Sequence, residues 1–124
     1  MTPARFAKEL AASLAASLPD GFGASADGDT VTIETPSGEA VTTALELESD
    51  DEGDPDVYVD AAESVLSLAQ DVVCEALDVT WPGPPGGGGD LPIPGARMDG
   101  GVVCLWFGDE DAPVLRLADI GFPT

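Results

Sequence analysis

The sequence predicts an α+β fold, a two-layer sandwich in which one antiparallel sheet of about five strands packs against two helices in the order α-β-β-β-α-β-β. Three patterns carry that expectation. Phe6, Leu10, Leu14 and Leu18 recur every four residues, and a second stripe at helical period runs through Ala62, Val65, Leu66, Ala69, Val72, Val73, Ala76 and Leu77. Residues 22–48 alternate apolar and polar side chains, and residues 102–107 are a nearly continuous apolar run. A chain of 124 residues can bury one core but not two independent ones, so residues 1–124 read as a single domain.

Thr2 and Pro3 supply an N-cap and a proline at the first helical position, and Pro19, Asp20 and Gly21 stop the helix, which places it over residues 3–18. Its other positions are mostly alanine, a strong helix former. Phe22, Ala24 and Ala26 then lead to Asp27-Gly28, a strong hairpin signal, after which Val31 and Ile33 alternate with Thr30, Thr32 and Glu34. Pro36, Ser37 and Gly38 turn the chain again, and Val41, Thr43, Leu45 and Leu47 form a third strand. This alternation gives the sheet one packed face and one wet face.

Residues 49–57 read SDDEGDPDV, a polar loop. Asp60 and Glu63 have capping-box spacing, so the second helix is expected to start at Asp60. At 100° per residue Cys74 falls beside Gln70 and Ser67, off the centre of the stripe, and is expected to be partly exposed. Residues 80–95 hold eleven glycines and prolines in sixteen positions and read as a flexible loop without regular structure. The run 102–107 reads as a strand buried on both faces. Gly108–Ala112 make a turn, and Val114, Leu115 and Leu117 give the last strand.

Charge narrows the function. Lysine and arginine number 4 against 24 acidic residues, a net charge of -20, with Arg5, Lys8, Arg97 and Arg116 as the cations. Such a field repels nucleic acid and anionic membrane surfaces and attracts a basic protein partner or a divalent ion. Life in high salt, where self-repulsion is screened, would also suit it. Leu10 to Leu18 follows Arg5 and Lys8, but Glu9, Ser13 and Ser17 make it a poor secretory signal. No stretch has the roughly 18–20 apolar residues that span a bilayer. Cys74 and Cys104 show no CxxC pairing, so reduced thiols in the cytoplasm are the expected state.

Chemistry is hard to place. The chain has no histidine, which removes histidine-dependent triads, and neither cysteine has a cationic sequence neighbour to favour its thiolate. Gly86–Gly89 lacks the lysine that follows a phosphate loop. No enzyme activity, cofactor or metal site is therefore expected. The acidic run Glu46, Glu48, Asp50, Asp51, Glu52, Asp54, Asp56 and Asp60 has the carboxylate density of a calcium loop. With Gly53 at position six, however, position twelve is Val59 rather than glutamate, and the run reads as a solvated turn. Trp106 and Phe107 are adjacent on a strand and must point to opposite faces, so one of them leaves the core and needs a cover.

The element order, acidity and size resemble those of the class I type III secretion chaperones, over about residues 3–118. Element order, rather than any motif, carries the likeness, and the third helix that closes that family is missing here. The resemblance implies a homodimer whose partner is an extended protein segment, and assigns no site residue.

The expectation is therefore a non-catalytic, cytoplasmic protein-binding or chaperone-like domain, homodimeric through the strand at 102–107. Its candidate contact residues are Trp106, Phe107, Asp50, Asp51, Glu52, Asp54 and Asp56. The alternatives are an immunity- or inhibitor-type protein that blocks a basic target such as a nuclease, and a calcium-binding module.

Overall fold

The computed structural model describes residues 3–45, 55–78, 81–82 and 92–121. It is an α+β fold of two helices and two antiparallel sheets. The order is α1 (Pro3–Ser17), β1 (Gly23–Asp27), β2 (Thr30–Glu34), β3 (Ala40–Ala44), α2 (Pro55–Leu77), β4 (Pro94–Asp99), β5 (Val102–Gly108), β6 (Pro113–Arg116) and β7 (Ile120–Gly121). The first sheet runs β1-β2-β3, and the second runs β4-β5-β6 with β7 also pairing with β5.

The expected single sheet is thus divided in two. The first sheet and β4-β5-β6 are meanders of sequence neighbours, the pairing with the lowest loop-closure cost, while β7 returns to β5; alternation within a strand carries no information on which strands join. Both inner faces and both helices feed one core. Phe6, Leu10 and Leu14 of α1 share one buried cluster with Val31 and Ile33 of the first sheet, Leu66 and Ala69 of α2, and Val103, Leu105 and Phe107 of the second sheet.

Helix α1 forms where the four-residue repeat places it. Ser13, buried on its inner side, donates its hydroxyl to Ala118 O at 2.8 Å and so ties α1 to the chain between β6 and β7. Helix α2 begins at Pro55, not at Asp60, which lies inside it. Proline suits a first turn, where its missing N–H costs nothing. Tyr58, four residues before Ala62, extends the apolar stripe back by a turn, is fully buried, and meets Phe6 edge to face with ring centroids 4.9 Å apart. At the other end Leu77 is exposed and Ala76 is outside the core, because the stripe outruns the surface it covers.

Strand β4 corrects the expectation that residues 80–95 hold no regular structure. Pro94 and Gly95 open it, and Asp99-Gly100-Gly101 closes it in a hairpin with β5. Gly100 and Gly101 take φ of 60° and 85°, the left-handed pair that a two-residue hairpin turn of this hand requires. Within the earlier hairpin Asp27 pairs with Thr30, so Gly28, at φ 61°, and Asp29 are the turn residues.

Candidate functional site

The outer face of the second sheet carries the most developed surface among the described residues. Strand alternation sends Val103, Leu105 and Phe107 inward and Val102, Cys104 and Trp106 outward. Phe107 is fully buried and meets Trp81 edge to face at 5.4 Å, so the adjacent aromatic pair divides with Phe107 as the core member. Trp106 is half-buried on the opposite face. Its indole lies across Gly95, its partner on β4, where a Cβ would come within 2.6 Å of the ring. Glycine at 95 is what lets the ring lie flat there.

Around Trp106 the sheet forms a groove of about 370 Å³, lined also by Arg97, Asp99, Cys104, Glu110, Asp111, Pro113 and Arg116. The turn after β5 brings Glu110 to Arg97, with Nη2–Oε2 at 2.9 Å, and Arg97 also reaches Asp99 at 3.5 Å. Arg116, paired across the sheet with Trp106, lies 3.8 Å from Asp119. Every member of these pairs is well exposed to water, so each contributes less than about 1 kcal/mol; together they orient the groove's charges rather than hold the fold. Outward Val114 and Ile93, which is 77% exposed, extend the apolar surface beyond the groove.

Cys104 sits on this outer face, and burial pushes its thiol above the usual value, with Asp119 and Asp99 acting in the same direction against Arg116 and Arg97. It is therefore a protonated, weakly nucleophilic thiol at neutral pH. Cys74 is half-buried on α2, accepts the Trp81 N–H at 3.3 Å and donates to the Trp81 carbonyl at 3.5 Å. This contact helps hold Trp81 against Phe107. Both cysteines are free.

Of the acidic candidates, Asp56 is exposed in the first turn of α2, far along the chain from the Trp106 groove. Asp50, Asp51, Glu52 and Asp54 lie outside the described residues, as does most of the loop read as a calcium candidate. Among the described residues no cluster of three or more carboxylates or thiols is arranged to hold a metal ion, and no helix is long and apolar enough to cross a membrane.

Sequence reasoning missed Gly95, Arg97, Glu110 and Arg116 as members of one surface. A signal for β4 was present in Gly100-Gly101, a hairpin dipeptide between Ala96-Arg97-Met98-Asp99 and Val102-Val103. Glu110 carries no such signal, because only the turn after β5 brings it to Arg97. Comparison of the chain with protein-family models, with curated proteins and with solved structures finds no match.

Proposed function

We propose that this chain is a non-catalytic protein-binding domain that pairs with a second copy of itself through the outer face of the second sheet. One observation carries the reading: Trp106 lies half-buried across Gly95 in a groove flanked by Arg97 and Arg116. Tryptophan and arginine are the side chains that most often anchor protein interfaces, above all in a partly apolar depression. Two of the chain's four cations stand on this face. They share it with Asp99, Glu110 and Asp111, so a twofold pairing would centre on Trp106 and keep these charges at its rim. A non-catalytic role accords with a groove whose thiol is held protonated, and two free cysteines suit a reducing compartment such as the cytoplasm.

Sedimentation of the wild type and of Trp106→Ala at low and high sodium chloride tests this. The wild type is expected to be a dimer that tightens as salt screens the mutual repulsion, and Trp106→Ala to sediment as a folded monomer. A wild type that stays monomeric in both salts overturns the dimer, and so does a Trp106→Ala variant that dimerises equally well.

A further inference from the structure

Strand β3 is the end strand of the first sheet and offers a second, different surface. Thr35 N–H donates to Glu39 O and Leu45 N–H to Asp29 O. With the register Val31↔Thr43 and Ile33↔Val41, this turns the backbone groups of residues 39, 41, 43 and 45 toward β2. Those of Ala40, Thr42 and Ala44 point the other way, and among the described residues nothing pairs with them. The usual protections of an edge strand, a proline, a bulge or a lysine, are missing from Ala40–Ala44. Beside this edge, on the sheet's inner side, a groove of about 190 Å³ opens between β3 and α2, lined by Thr43, Ala44, Leu45, Ala61, Ser64 and Val65.

Charge decides what fits. Between Lys8 and Arg97 the sequence has no lysine or arginine, while nineteen of its 24 carboxylates fall there. Asp29, Glu34 and Glu39 on the first sheet and Asp60 on α2, one turn before Ser64, are all exposed. Another copy of this sheet would bring like charges together, so repulsion guards the edge against pairing with itself, which shape does not.

We infer that the edge of β3 and the groove beside α2 receive an extended segment of a partner protein that alternates apolar and basic residues and adds to the sheet as a fourth strand. Main-chain hydrogen bonds to Ala40, Thr42 and Ala44 would hold it. Its apolar side chains would enter the groove over Val65 and Leu45, and its basic ones would face the carboxylates. This surface is separate from the Trp106 face and does not depend on the dimer.

The test uses a capped peptide alternating lysine and valine, titrated into the Trp106→Ala protein so that the second sheet's outer face contributes nothing. Amide shifts concentrated at Ala40, Thr42 and Ala44 are expected. Thr42→Pro removes the outward N–H without touching the ladder to β2, and should weaken binding by about tenfold, the equivalent of one hydrogen bond to an otherwise unpaired group. N-methylation of alternate peptide amides keeps the charge and should weaken binding similarly, which requires no change in the protein. A glutamate-valine peptide should not bind. The inference is overturned if the lysine-valine peptide fails to bind at millimolar concentration. It is equally overturned if the N-methylated peptide binds as well as its parent, which would mark a charge contact only.

Discussion

The two sheets are both antiparallel and share one core, yet they expose different things. On the first sheet the outer face is polar, with Thr32 and Thr42 hydroxyls 3.1 Å apart, and the outward backbone groups of the edge strand β3 have no partner among the described residues. On the second the outer face sets Trp106 among charged side chains, and the outward edge of β4 is partly occupied. Pro94 has no N–H to offer, and the outward N–H of Ala96 donates to Glu63 Oε1 of α2 at 3.2 Å. Gln70 Nε2 donates to Pro92 O at 2.6 Å and fastens the approach to the same strand. The outward edge of β4 thus rests against α2, whereas the outward backbone groups of β3 have no partner among the described residues.

The largest expected effect contrasts the two faces of β5. Phe107→Ala empties a fully buried site against Trp81 and should cost about 3–5 kcal/mol, as core aromatic truncations do. Trp106→Ala on the outer face should cost far less. Urea unfolding of both variants measures the difference, and equal losses would mean that the outer face is part of the core and that the contrast between the sheets fails.

The sealed edge gives a middle-sized test. Glu63→Ala leaves the Ala96 N–H without its acceptor and should cost about 1–2 kcal/mol, the range for stranding a partly buried donor. Hydrogen exchange at Ala96 should quicken toward the rates of Thr42 on the open edge. If Ala96 keeps its protection in the variant, the seal lies elsewhere and the two edges differ for another reason.

The smallest effect is alkaline. Burial raises the Cys104 thiol above its unfolded value, so above the ordinary thiol pKa the unfolded chain loses that proton while the folded chain keeps it. The stability due to this group is fully present below the unfolded pKa and declines as pH rises through the raised folded one. Cys104→Ala should flatten that decline in melting temperature between mildly and strongly alkaline buffers. A slope unchanged by the substitution would show that other groups on the second sheet set it.

Much of this was legible in the residues themselves. The repeat of Phe6, Leu10 and Leu14 placed α1, the stripe from Ala62 to Val73 placed α2, and the alternation through Val31 and Ile33 placed the first sheet, because burial on one side of a regular element imposes a period that the sequence must carry. The same rule required Trp106 and Phe107 to part company. Which of them would face the core was decided only by tertiary structure, when Trp81 and the helices took one side of β5 and Gly95 left room for an indole on the other. The split into two sheets, the start of α2 at Pro55, the pairing of Arg97 with Glu110 and the sealing of β4 by Glu63 were decided there as well. Each depends on which elements meet in space, and a residue's own periodicity records that it is buried or exposed without recording against what.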